Sequence, residues 1–253
     1  MTMGRQGINR VHRALMVEKP GEVHPALRLA HGLDEWPSST DPKKKQDLIQ
    51  AIVDLRVPDF YRQALSRWKA YTGDRSRFYS FEMRLVHRLY VGLSRDNPVE
   101  TGVTIAHTYG MPILPGSSLK GLARASAEYV AHGSGGLSPE ALRWMFGEGG
   151  DQGEVGGLIF HDAWWCGPPD RPPFVLEVVT PHHTEYYRGS GDVAASDTDS
   201  PVPNTQIAVQ GSFLFTVEGD PGWTTVAAHL LTMGLQQWGI GGKKSSGYGL
   251  FEI

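Results

Sequence analysis

Cysteine is nearly absent: Cys166 stands alone among 253 residues. A single thiol closes no internal disulfide and builds no Cys-rich zinc site, which fits a reducing compartment. Also missing is any apolar run near the ~20 residues of a membrane-spanning helix. The opening Met1-Thr2-Met3-Gly4-Arg5-Gln6 leads into no apolar stretch, so no secretory signal is read and the cytoplasm is the expected location. Nor is there an excess of positive charge: 24 Lys and Arg stand against 27 Asp and Glu, for a net charge of −3. A free-standing, non-specific nucleic-acid binder is usually basic, so any such affinity must be local or shared with partner subunits. No tandem repeat is found, and the G-x-x-x-x-G-K-[ST] run of a P-loop is absent.

Glycine is in excess, with 31 residues against a usual share of about 7%. Many sit in a few clusters, which points to loops of special backbone geometry. Residues 1–40 carry Pro20, Pro25 and Pro37 and are expected to be irregular. Helical spacing of Leu48, Ile49, Ile52 and Val53, then of Phe60, Tyr61, Ala64, Leu65 and Trp68 beyond Pro58, predicts two helices within 41–73. The period then falls to two. Phe81, Met83, Leu85, Leu89, Val91 and Leu93 share one face and Glu82, Arg84 and Arg88 the other, which predicts one long strand with His87 on its apolar face.

After a Gly- and Pro-rich loop over 94–115, Leu119, Leu122, Ala123, Ala127 and Val130 form the stripe of a helix that stops at Gly133–Gly136. Strands are expected at Val155–Trp165 and Phe174–Thr180, with a polar, flexible insertion over 188–205. One strand is expected from Ile207 through Val209, Phe213 and Phe215 to Val217. A helix bearing Ala227, Leu230, Leu231, Gly234, Leu235 and Trp238 follows, then a last strand within Tyr248–Ile253. Strand, helix, strands, helix, strand is the split βαβ order of an α+β, ferredoxin-like (RRM-like) domain. Residues 77–253 are read as that domain and residues 1–76 as an N-terminal helical leader.

Two segments carry chemistry. In the first, Pro115-Gly116-Ser117-Ser118-Leu119-Lys120-Gly121-Leu122-Ala123-Arg124, a serine opens a helix after a glycine. Free N–H groups and the positive end of the helix dipole are expected to point outward there, with Lys120 and Arg124 adding charge on the adjoining face. That combination suits phosphate. Gly121 leaves room for close approach. The second is Gly239-Ile240-Gly241-Gly242-Lys243-Lys244-Ser245-Ser246-Gly247-Tyr248-Gly249. Gly241 and Gly242 permit turns that aim several N–H groups at one oxygen, Lys243 and Lys244 attract it, Ser245 offers a hydroxyl and Tyr248 a ring for a base. The plain readings are a capped helix and a long turn.

The pair PGSSLKG…R and G-x-GG-K-K-x-S-x-G-x-G resembles the RAMP superfamily of CRISPR-associated proteins. Thr101–Pro112 (TGVTIAHTYGMP), Val179–Tyr187 (VTPHHTEYY) and Asp199–Pro203 (DSPVP) sharpen the likeness toward the sixth-subunit family of type III-B Cmr effector complexes. It runs from about residue 77 to the C-terminus. The resemblance implies a ferredoxin-like core and a non-catalytic, architectural subunit that binds crRNA toward its 3′ end and, through it, meets target RNA. It implies as neighbours a backbone RAMP subunit, the small helical subunit and the first Cmr subunit, with cleavage assigned elsewhere. Gly116, Ser117, Ser118, Lys120, Arg124, Gly241, Gly242, Lys243, Lys244 and Ser245 would contact crRNA, and His107, His182, His183 and Tyr186 either RNA or a subunit. No cofactor or metal is implied.

Three enzyme readings compete. A RAMP endoribonuclease acting on crRNA precursors would use a histidine such as His107 as general base. A metal site would draw on His161-Asp162 or His182-His183-x-Glu185, although adjacent strand residues face opposite ways. Ser117-x-x-Lys120 carries the S-x-x-K spacing of serine acyl-enzymes without their other elements.

Overall fold

The computed structural model describes residues 24–31, 43–93, 101–131, 136–149, 153–168, 170–180 and 203–253. In chain order the helices are α1 (Pro25–His31), α2 (Lys43–Val53), α3 (Asp59–Tyr71), α4 (Gly116–Ala131), α5 (Pro139–Phe146) and α6 (Pro221–Gln237). The strands are β1 (Phe78–Leu85), β2 (Ile113–Leu114), β3 (Ile159–Phe160), β4 (Ala163–Trp165), β5 (Phe174–Val179), β6 (Asn204–Val209), β7 (Ser212–Glu218) and β8 (Phe251–Glu252). Two compact units form, one from 1–55, 94–102 and 174–208, the other from 56–93, 103–173 and 209–253.

The larger unit holds a sheet ordered β2-β4-β7-β1-β8, with β3 continuing the β4 column against β7. All its pairings are antiparallel. Taking β1, β3/β4, β7 and β8 as the four core strands gives the spatial order four-one-three-two of a ferredoxin-like fold, the expected class. Side chains alternate across the pleat. Phe78, Glu82 and Trp164 meet α3, through Tyr71 on Phe78, Lys69 on Glu82, and Tyr61 and Trp68 stacked on Trp164. The opposite face carries Met83, Leu85, Phe213, Phe215 and Val217, all buried. There α6 lies on β1, β7 and β8, and α4 packs on α6. The helices cross closely at Gly234, where a Cβ would sit 2.6 Å from Ser126 Oγ.

The smaller unit contains α1, α2 and the β5–β6 pair. Ile49 and Ile52 of α2 are fully buried. Lys45 Nζ donates to Asn204 Oδ1 at 2.6 Å, and the Ile207 N–H donates to Thr101 Oγ1 at 3.0 Å.

Several expectations need correction. β1 ends at Leu85 rather than running to residue 93; Leu89 and Tyr90 form single bridges, to Val209 and Gly242. The register explains why: Arg84 pairs with Ser212, but Leu89 pairs with Val209, so extra residues bulge out at 86–88 and around Gly211, whose φ is +100°. The bulge turns His87 to solvent instead of the apolar face. The same interruption splits the single strand expected over 207–217 into β6 and β7. Val155–Trp165 is likewise broken at His161-Asp162, and Val155 is 98% exposed. α1 lies in a segment expected to be irregular, and α5, capped by Ser138 Oγ on the Ala141 N–H, was not anticipated. β5 pairs with β6 outside the main sheet. Most of the 188–205 insertion lies outside the described residues.

Candidate nucleic-acid interface

Gly116 opens α4 two residues after β2. Its N–H donates to Asp162 Oδ1 at 2.7 Å, while the Ser118 and Leu119 amides return to the Pro115 carbonyl. The expected outward-facing anion cradle is therefore filled by the protein's own carboxylate, placed there by the β3–β4 connection. Gly116 is buried, and a Cβ on it would lie 2.0 Å from the Phe160 carbonyl oxygen. That glycine serves helix–strand approach. Beyond this first turn the helix presents exposed Ser117, Ser118, Gly121 and Arg124 and half-exposed Lys120. Nothing lies within 4 Å of a Cβ at Gly121. Arg124 Nε donates to Glu128 Oε1 at 2.9 Å, so its charge is partly engaged. Ser117 and Lys120 share no hydrogen bond among the described residues, which leaves the S-x-x-K spacing without a nucleophile–base contact.

The C-terminal glycine segment has a rigid base and an exposed tip. At the base, Ile240 N–H donates to the Gly249 carbonyl (3.0 Å), Gly242 N–H to Tyr90 (2.8 Å) and Gly249 N–H to Arg88 (2.8 Å). Gly241 and Gly249 have φ of +90° and +76°, and a Cβ would lie 2.2 Å from the Tyr90 oxygen at the first and 1.9 Å from the Ile240 oxygen at the second. Only glycine fits there. At the tip, Lys243 is left-handed (φ 56°, ψ 34°) and leads into one 3-10 turn, Lys244–Ser246. Consecutive left- and right-handed residues turn successive N–H groups toward one point. Among the described residues no backbone acceptor takes the Lys243, Lys244 or Ser245 amides. Their side chains are exposed. Tyr248 is half-buried and leans on Tyr90 with ring centroids 4.7 Å apart, so one side of the ring expected to meet a base is already covered.

The start of α4 lies over Phe160, in the β3/β4 column, and the glycine segment feeds β8. Three strand spacings across the sheet and the six residues from Tyr79 to Leu85 along it separate these points, roughly 25 Å by standard strand dimensions. No mononucleotide spans that distance; a polymer does.

The remaining candidates do not converge. His107 is exposed in the turn between Ala106 and Gly110, whose Tyr109 packs on Phe60, Tyr61 and Trp164 of the α3 side. His182, His183 and Tyr186 lie outside the described residues. His161 and Asp162 point to different partners, His161 Nε2 to Glu218 Oε2 at 2.8 Å and Asp162 to the Gly116 amide. Among the described residues no three His, Cys, Asp or Glu side chains are grouped to hold a metal ion. Burial, reinforced by the charge of Glu82, pushes the Cys166 thiol up to about 12, which keeps it protonated and unreactive at neutral pH. No helix among the described residues is long and apolar enough to cross a membrane.

Residues 82–252, more than half of the chain, match the model of the RAMP superfamily. The chain belongs to the RAMP superfamily. This RAMP chain is 28% identical over 218 residues to the CRISPR system Cmr subunit Cmr6 of Pyrococcus furiosus (strain ATCC 43587 / DSM 3638 / JCM 8422 / Vc1). The match covers 64% of each protein, so the RAMP chain spans just under two thirds of that relative's length. It also superposes on a chain in a cryo-EM structure of the type III-B Cmr-beta complex bound to cognate target RNA. The TM-score is 0.69 at 17% identity, over 97% of this chain and 96% of that one, a likeness of fold. A crystal structure of Cmr6 from Pyrococcus furiosus gives a TM-score of 0.45 at 22% identity, over 69% of this chain and 97% of that one.

Sequence reading of the RAMP chain missed the groups that shape both motifs from afar. Asp162 caps α4 across 46 positions, and the Arg88 and Tyr90 carbonyls anchor the glycine segment. Backbone carbonyls carry no side-chain signature. Asp162 follows a short apolar strand, where a polar break was the available clue.

Proposed function

We propose that this RAMP chain is a non-catalytic, crRNA-binding structural subunit of a type III-B CRISPR effector complex, working in the cytoplasm. The observation that carries the reading is the glycine segment: a hydrogen-bonded base holding at its tip two exposed lysines and three amides that no backbone acceptor takes among the described residues. Such a tip takes phosphate oxygens by charge and by N–H donation, without reading a base. The separation between the tip and α4 supports a polymeric ligand. Family membership, the likeness to Cmr6 and the fold shared with a chain of an RNA-bound Cmr complex support crRNA as that polymer. The motif resemblance further suggests as neighbours a backbone RAMP subunit, the small helical subunit and the first Cmr subunit, with target RNA met through the crRNA. The mildly acidic net charge makes binding by the isolated chain weak and dependent on local clusters of exposed cations.

The test is Lys243→Ala with Lys244→Ala in the full chain, titrated with labelled crRNA at several salt concentrations. Losing two phosphate contacts on a single strand lowers the slope of log K against log salt by about 1.4. The advantage of the parent chain then shrinks about sevenfold between 50 and 200 mM salt. Both side chains are exposed, so the unfolding midpoint stays put. An unchanged slope refutes the phosphate role of the tip. Cut pre-crRNA after incubation with the pure chain refutes the non-catalytic role and favours the endoribonuclease.

A further inference from the structure

Positive charge in this acidic chain is concentrated where no motif was read. Residues 56–77 hold six basic side chains against two acidic ones, in a protein of net charge −3. Two of the six are spoken for: Lys69 pairs with Glu82 at 2.6 Å and Arg77 pairs with Glu218. Arg56, Arg62 and Arg67 are exposed and meet no carboxylate among the described residues. Of the two acids, Asp74 is occupied by the Ser76 amide and hydroxyl.

Aromatic rings stand among these charges. α3 turns Tyr61, Ala64 and Trp68 toward the sheet, as an amphipathic helix should. Phe60 and Tyr71 do not follow them inward, and remain 54% and 55% exposed. With Arg67 they sit at positions i, i+7 and i+11, one stripe along an exposed edge of the helix. The rings are about 16 Å apart by helical rise. Neither is loose. Phe60 rests on Tyr109 at 6.0 Å, and Tyr71 leans on Phe78 at 5.2 Å and Trp68 at 5.9 Å. Rings fixed by packing yet more than half open give stacking platforms at little entropic cost, and an arginine between them supplies a phosphate contact and cation–π stacking.

We infer that the Phe60–Arg67–Tyr71 edge of α3 is a second binding track for single-stranded RNA, with Arg67 taking a phosphate between the two rings. α3 lies on the face of the sheet away from α4 and α6 and ahead of the region that matches the RAMP model, so the track is separate from both glycine motifs. Unpaired carboxylate-free arginines exclude a basic partner, and unpaired bases are the ligand that uses both the rings and the charge.

The experiment measures binding of the full chain to a labelled single-stranded oligouridine and to an RNA duplex of equal length. The track predicts preference for the single strand. Arg67→Ala lowers the salt slope by about 0.7, and Phe60→Leu weakens binding about fivefold or more. Arg67→Glu touches no ring, so it decides the matter should Phe60→Leu disturb Tyr109 and the fold. 4-Thiouridine placed in the guide or the target strand of the reconstituted complex then assigns the strand by its crosslink to the α3 peptide. If the α3 variants bind as the parent does while Lys243→Ala with Lys244→Ala loses RNA, the track is refuted, α3 serves a protein neighbour, and the loop reading survives. If the α3 variants weaken binding and the loop variant does not, the track stands and the loop reading falls.

Discussion

Gly121→Ala separates stability from function in α4. Gly121 sits at the sixth of sixteen residues, in the helix interior, exposed, with no atom within 4 Å of the position a Cβ would take. Replacing an interior helical glycine by alanine removes backbone freedom from the unfolded chain and favours the helix by about 1 kcal/mol. In a protein of this size that raises the thermal midpoint by roughly 2–4 °C. If an RNA backbone lies against the helix there, the new methyl intrudes on a packed contact, at about 1–3 kcal/mol, or five- to 150-fold in Kd. The variant is therefore expected to melt later and bind crRNA less tightly, a pairing that general damage cannot produce. Thermal unfolding by circular dichroism and fluorescence anisotropy with labelled crRNA read the two effects. A later melt with unchanged affinity refutes α4 as an RNA surface, leaving its first turn a helix capped by Asp162. A midpoint that fails to rise refutes the helical argument itself.

Gly116→Ala is expected to act in the opposite sense: the added Cβ meets the Phe160 carbonyl oxygen at 2.0 Å, and overpacking against backbone costs about 1–3 kcal/mol. Urea unfolding of the variant checks it. Glu218, 13% exposed, is pulled two ways, since burial raises its pKa while the bonds and charges of Arg77 and His161 outweigh that and hold it below the usual value. A carboxylate lowered in the folded state stabilises above the unfolded pKa of about 4.3 and loses that contribution as pH falls through its folded value. Glu218→Gln should therefore be less stable than the parent at neutral pH, with the gap closing as pH is taken down from about 5; urea titrations across that range measure it.

The element order was legible because it rests on periodicity. The spacing of Ala227, Leu230, Leu231 and Leu235 specifies α6, and the alternation of Phe213, Phe215 and Val217 specifies β7, each a local pattern with one buried face. Strand ends were not legible. The bulge that turns His87 outward and parts β6 from β7 depends on the register between residues 84–89 and 209–212, a long-range match that alternation alone cannot reveal. Of the two motifs, the glycine segment reads correctly as a special-geometry loop, since Gly241 and Gly249 occupy conformations that exclude side chains. The start of α4 reads wrongly as an open anion cradle because its anion comes from Asp162, 46 positions away. The open edge of α3 was not legible for a simpler reason: Phe60 falls in the same helical run as the core aromatics, and only exposure separates it and Tyr71 from Tyr61 and Trp68.

The most direct test of the central claim is a native pull-down of the tagged chain from its host, with bound RNA extracted and sequenced and co-eluting proteins identified. Short RNAs carrying CRISPR spacers are expected, together with several other RAMP subunits. An eluate with neither spacer RNA nor RAMP partners would contradict it.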